Sequence, residues 1–222
     1  MALERKVIKR GSFCSLEGGL CRLLLLRHGE HQRGILTEAG QAHLNMLASQ
    51  LKVEGIELVA AFSSSSAKAL SSVIRVMAEL IKFREVTTDL RLGSLTTILP
   101  DMARQISHDA AAAGIGFQEQ LLNKCRTDSG SSVDIEGLGK ETAAALHELA
   151  TRYQSRTILI GSHGGCRIEP AVISLMKADF EGWLHKDTWL VGLGGMVELI
   201  YRPSDEEVVE VCQLIHPTDT KA

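Results

Sequence analysis

Aromatic side chains are scarce in this sequence: two Trp, two Tyr and five Phe among 222 residues. That is too few rings for a base-stacking platform on nucleic acid. Charge of one sign is lacking as well. Lys and Arg number 24 against 27 Asp and Glu, a net −3, so bulk electrostatics point to no nucleic-acid or other polyanionic partner. No apolar run approaches the roughly 20 residues of a membrane helix, and no membrane partner is expected. The five cysteines, Cys14, Cys21, Cys125, Cys166 and Cys212, are odd in number and scattered. No CxxC or Cys/His cluster has zinc-ligand spacing, so no metal is expected. Reduced thiols in a cytoplasmic protein are the simplest reading. The first residues, MALERKVIKRGSF, are basic but lack the apolar stretch of a secretory signal. They read as a flexible segment over 1–20, with an organelle-targeting peptide the weaker alternative. No repeat or low-complexity block divides the rest. Residues 21–222 read as a single domain, long enough to enclose one sizeable core.

What the chain has instead is an alternation of short apolar strands and amphipathic helices. CRLLLL (21–26) reads as a buried strand. Thr37 stands where a helix N-cap belongs, and Leu44, Leu47, Ala48 and Leu51 follow at helical spacing, predicting a helix over 37–53. A strand over 56–62, a helix over 66–82 and a strand over 85–90 come next. Residues 100–126 predict helix, interrupted at Gly114 and Gly116. By composition 127–139 reads as a loop, followed by a helix over 140–154, a strand over 157–160 and a helix over 167–177. Two strands near 190–201 and 207–215 close the chain. This order predicts an α/β fold with a mostly parallel sheet covered on both faces. Ligands of such sheets bind at the carboxyl ends of the strands.

Three strand ends carry polar sequence: RHGE (27–30), SSSSAK (63–68) and GSHGG (161–165). Brought together, they would place Arg27, His28, Lys68 and His163 around one pocket, with a Ser-rich helix N-terminus beside them. That set suits an anion, and a phosphoryl group best. A guanidinium clamps oxygens in bidentate fashion, a lysine adds a point charge, and backbone N–H groups at Gly29 and Gly164 can approach closely. Histidine is a competent nucleophile toward phosphorus. Taken singly, each piece has an ordinary structural role: a hydrogen-bonded histidine, a capping serine, a solvated lysine. Their convergence at predicted strand ends carries the functional reading.

The motifs resemble those of the histidine phosphatase superfamily, the phosphoglycerate mutase-like proteins. LLLLRHGE resembles its signature, and ILTEAGQAH (35–43) the LTxxGxxQA stretch that follows. AFSSSSAKAL (61–70) resembles YSSPxxRA, GKET (139–142) the GES helix start, and ILIGSHGG (158–165) the second-histidine motif. The resemblance runs in order from about residue 21 to residue 201. It implies a three-layer α/β/α sandwich with a mixed, mostly parallel central sheet. It also implies His28 as the nucleophile that becomes phosphohistidine, Arg27 as a ligand of the phosphoryl group, and His163 stabilising the transition state. Water would then release phosphate, without cofactor or metal.

Two positions depart from that pattern. Lys68 stands where the family has a second arginine, which keeps the charge and loses the fork. The family's proton-donating glutamate aligns with Leu92 or Ser94, and Asp89, Asp101 and Asp134 are the substitutes within the sequence. A general acid typically supplies about 10²–10⁴-fold in rate. The segment between Glu30 and Leu36 is short, His31 to Ile35, which argues for an open site. His31, Gln32 and Arg33 are expected at its rim. The expected activity is a phosphatase acting on a phosphorylated small molecule or a phosphoprotein. The alternative is a weak or inactive relative that binds a phospho-ligand or a protein. A mutase is disfavoured by the short segment, and a serine hydrolase by the lack of any GxSxG elbow. WLVGLGGM (189–196) precedes a strand, so its GxGG is no dinucleotide fingerprint. An edge strand leaves a homodimer open.

Overall fold

Why four consecutive leucines should sit in one strand is answered by what covers each face of it. The computed structural model describes residues 16–80, 85–127, 133–186 and 190–214. β1 (Cys21–Arg27) lies inside a six-stranded sheet together with β4 (Leu58–Ser63), β5 (Val86–Thr88), β6 (Thr157–Ser162), β7 (Met196–Arg202) and β8 (Glu207–Leu214). The order is β5-β4-β6-β1-β7-β8. The first four run parallel, whereas β7 is antiparallel to β1 and β8 to β7. The remaining strands, β2 (His31–Gln32) and β3 (Ile35–Leu36), form a separate hairpin.

Successive side chains of β1 point to opposite faces. Leu24 and Leu26 pack with Leu44, Leu47 and Leu51 of α1 (Glu38–Val53) and with Val73, Val76 and Met77 of α2 (Ala67–Glu79). Leu23 and Leu25 pack on the other side with Leu146 and Leu149 of α6 (Ile135–Arg152) and Ala171 and Val172 of α7 (Ile168–Leu175). Each buried leucine contributes about 2 kcal/mol of transfer free energy. The result is the expected three-layer α/β/α sandwich. A smaller apolar cluster joins α3 (Leu95–Ile98), α4 (Pro100–Ala113), α5 (Phe117–Thr127) and α8 (Phe180–His185), centred on Ile106, Leu121 and Trp183. No described helix is long and apolar enough to cross a membrane.

Thr37 caps α1 as expected, its hydroxyl accepting from Gly40 N–H at 3.0 Å. The break between α4 and α5 falls at Gly114, whose φ of 67° ends α4 in the left-handed region. Three expectations are corrected. The segment read as a loop over 127–139 is helical from Ile135, where Asp134 accepts from Gly137 N–H; residues 128–132 lie outside the described residues. Gly139 therefore sits inside α6, not at a helix start. A Cβ there would come within 2.5 Å of Pro170, so this glycine sets how closely α6 and α7 approach. Third, the strand expected from 190 begins only at Met196. Gly194 turns the chain with φ 72°, and residues 190–195 wrap against β1 instead. The hairpin, α3 and α8 had no clear sequence signal, each being six residues or shorter. Residues 1–15 lie outside the described residues. Leu20, counted above with the N-terminal segment, is buried, and its carbonyl accepts from Ser155 N–H.

Candidate active site

β4, β6 and β1 are neighbours and parallel, so their carboxyl ends meet. Arg27 is in register with Ser162 and Ser63 with Gly161. The three polar segments thus converge. The His28 and His163 rings lie 5.2 Å apart between centroids, and His31 lies edge-on to His28 at 5.7 Å. The turn after β1 is held on every side. Gly194 N–H donates to His28 O and Arg27 N–H to Gly195 O. A Cβ at Gly29 would press on Leu36 and Leu44, and one at Gly40 would collide with the Glu30 backbone. This explains why the LTEAG stretch needs its glycine: α1 starts against the strand end.

Gly29 does not act as expected. Its N–H donates to the Ser72 hydroxyl at 3.0 Å and is not aimed at an anion. Its carbonyl instead accepts from two imidazoles, His28 Nδ1 at 2.9 Å and His31 Nδ1 at 2.7 Å. A carbonyl has only lone pairs to offer, so His28 carries its proton on Nδ1 and keeps the Nε2 lone pair free. His163 Nε2 meets Ser64 Oγ at 2.9 Å. Ser64 Oγ also accepts the Ser66 N–H; with a second lone pair and its own hydrogen it can pair with His163 Nε2 in either tautomer. The serine run is therefore part of the site rather than a cap.

Arg27 Nη1 donates to Val191 O. The Val191 N–H donates to Glu169 Oε1 at 2.8 Å, and the Gly165 N–H to Glu169 Oε2 at 2.6 Å. Glu169 is fully buried. Burial pushes its carboxyl up, while the two amides and Arg27 pull it down. It ties the second-histidine loop to the 190–195 segment and supplies Arg27 with a countercharge. Sequence reasoning passed over it, although one acid in the apolar stretch IEPAVISL was a usable signal. Gly164 lies close against its neighbours: a Cβ would come within 2.5 Å of Gln118 Nε2, a flexible side-chain end, and 3.0 Å of Arg27 Cδ. Arg27 Nε and Gln118 Nε2 are buried donors with no protein acceptor, at a cost of about 1–3 kcal/mol each. An oxyanion drawn against Arg27 relieves this. Gln118 comes from α5, far from any motif, and had no sequence signal.

Lys68 is exposed on the first turn of α2, and its charge bears on all three histidines. Burial, then the surrounding cations, pushes His28 down to about 4 and His163 to about 3. Both are neutral at pH 7 in the free protein. Unfolding returns them to the ordinary value near 6.5, so the unfolded chain binds more protons below that pH. Stability that is present above about pH 6.5 is lost as pH falls toward 4. The urea midpoint, measured without phosphate, should fall between pH 7 and 4.5. The fall should be smaller in His28→Asn; an equal fall would contradict this account of His28.

Neither position aligned with the family's glutamate can donate a proton, and the three substitute aspartates are engaged elsewhere. Leu92 lies in the apolar core, and Ser94 Oγ bonds the Thr96 and Thr97 hydroxyls. Asp89 is held by Arg91 through both oxygens, which keeps its carboxyl low. Asp101 pairs with Arg104 at the surface, and Asp134 caps α6. Gln32 and Arg33 are exposed on the hairpin as expected, whereas His31 is turned inward toward His28. Among the described residues, no group of three or more His, Cys, Asp or Glu is placed to hold a metal ion.

No family profile matches this chain, and no curated protein matches it in sequence. Solved structures do match in shape. The mycobacterial glucosyl-3-phosphoglycerate phosphatase with inorganic phosphate aligns at 19% identity over 88% of this chain and 96% of its own, with a TM-score of 0.60. The phosphoglycerate mutase of Bacillus anthracis aligns at 17% identity over 85% and 91%, with a TM-score of 0.57. YhfR of Bacillus stearothermophilus aligns at 18% identity over 82% and 91%, with a TM-score of 0.59. At these identities the likeness is one of fold.

Proposed function

We propose that this chain, whose fold is the one shared by the histidine phosphatases and phosphoglycerate mutases, is a phosphatase that works through a phosphohistidine at His28. The observation that carries the reading is the pairing of His28 and His163 at adjacent strand ends, with Arg27 behind them. His28 is neutral, its Nδ1 proton is taken by Gly29 O, and its Nε2 is free to attack phosphorus. Arg27 and Lys68 would hold the equatorial oxygens, where charge sits during transfer. His163 would donate to one of them from Nδ1. Attack from Nε2 forms an N–P bond as the ester P–O bond breaks, and water then displaces phosphate from nitrogen.

The substrate is a phosphate monoester on a small molecule or a protein. A tight hairpin stands where a longer segment would enclose a small phosphorylated acid, which favours a bulky or protein-borne phosphate over mutase chemistry. The second reading is a protein that binds a phospho-ligand without turnover. It is favoured by Leu92 in the acid's place and by Lys68. Mixing the protein with an aryl phosphate separates the two. The phosphatase releases phosphate and yields, after alkaline quenching, a phosphorylated His28 by mass spectrometry. Binding of orthophosphate or a phosphopeptide with no release supports the second reading, and neither binding nor release removes both.

A further inference from the structure

The proposed reaction needs a proton for its leaving oxygen, and the carboxylates weighed for that task are engaged elsewhere. Beside the nucleophile lies one titratable side chain with no part in the mechanism so far. We propose that His31 is the general acid–base of this site, protonating the leaving oxygen in the first step and deprotonating water in the second. The inference rests on the phosphatase reading.

His31 is half-buried on β2 at the rim, and its ring meets that of His28 at 78°. Its hydrogen bonds form a chain. Nδ1 lies 2.7 Å from Gly29 O, Nε2 lies 3.1 Å from Ser71 Oγ, and Ser71 Oγ donates to Lys68 O at 3.2 Å. The imidazolium completes this chain, with Nδ1–H to Gly29, Nε2–H to Ser71 and the serine hydrogen to Lys68 O. In the neutral ring the serine hydrogen turns to Nε2, and Lys68 O keeps the Ser72 hydroxyl at 2.7 Å. Both protonation states are therefore satisfied by the turn of one hydroxyl, which is what a group that gains and loses a proton each cycle requires.

The charged and titratable groups that bear on His31 are Lys68 on α2 and His28 at the end of β1. Burial, then the Lys68 charge, lowers its affinity for a proton, while the bond to Gly29 O raises it. A bound phosphate dianion shifts it upward, so substrate itself loads the acid. In the first step the His28 Nε2 pair forms the N–P bond. The ester P–O pair leaves on oxygen, which displaces Ser71 Oγ as the partner of His31 Nε2–H and takes its proton. In the second, neutral His31 takes a proton from water as the new P–O bond forms, and the N–P pair returns to His28.

The test compares an alkyl phosphate with a nitrophenyl phosphate, whose leaving group needs no proton. Wild type, His31→Asn and His31→Ala are compared. The asparagine amide can stand in for Nδ1 on Gly29 O, so it separates positioning from proton transfer. Single-turnover phosphorylation of His28 in His31→Asn should slow about 10²-fold with the alkyl ester and stay within about threefold of wild type with the nitrophenyl ester. Breakdown of the phosphohistidine should slow alike from either ester. Should His31→Ala fail to fold, His31→Asn alone decides. An equal loss on both esters, or no loss on either, overturns the assignment and leaves the phosphatase reading standing. A wild-type protein that hydrolyses neither ester ends both.

Discussion

Replacing His28 by alanine is expected to lower phosphate release from an aryl phosphate on the order of 10⁴-fold or more, to background. The expectation follows from what the alanine removes. His28 is the neutral imidazole with a free Nε2 that stands between Arg27, Lys68 and His163. With it gone the two cations proposed to hold the phosphoryl oxygens persist, because Arg27 remains held by Val191 O and Lys68 remains on α2. Orthophosphate should therefore still bind, within about tenfold of wild type, while turnover ends. His28→Asn, which keeps a donor to Gly29 O but no nucleophile, should match alanine. Equal release by wild type and His28→Ala would overturn the phosphohistidine mechanism.

The second large effect is expected at a residue that touches no substrate. Glu169→Ala should cost about 3 kcal/mol of stability, because two buried N–H groups, at Gly165 and Val191, lose their acceptor and Arg27 loses its countercharge. The urea midpoint should drop with the slope unchanged. Glu169→Gln keeps one acceptor but turns a donor toward the other amide, so it should fall between wild type and alanine. Because Val191 O holds Arg27 Nη1, orthophosphate affinity should weaken with the midpoint. A midpoint unmoved by Glu169→Ala would show that the two loops hold each other without it.

How far the site was legible can be seen residue by residue. Arg27, His28 and His163 stood out because each sits at the end of a strand whose apolar run is visible in one dimension. Their meeting was a conditional expectation, and the neighbouring order of β4, β6 and β1 satisfies it. Gly29 turns its carbonyl and not its N–H to the histidines, because Ser72, distant in sequence, takes up the N–H. Gln118 and Glu169 were missed for different reasons. Gln118 lies on a polar helix whose sequence is like that of any exposed helix, and only packing presses it over Gly164. Glu169 interrupts an apolar stretch, but its two partners come from segments 4 and 22 residues away.

What the sequence by itself determined is the layer order and which polar side chains stand at the strand ends. Periodicity of 2 and 3.6 is a local property, and an arginine–histidine pair at a strand's end is a local motif. What only the tertiary structure decided is which lone pairs and hydrogens those groups present. The Gly29 carbonyl puts a proton on Nδ1 of two histidines, the Ser64 hydroxyl pairs with Nε2 of a third, and Val191 and Glu169 fix one edge of Arg27. A hydrogen bond depends on distance and direction within a few tenths of an ångström, and residues far apart in the chain acquire those only when the core has closed around them.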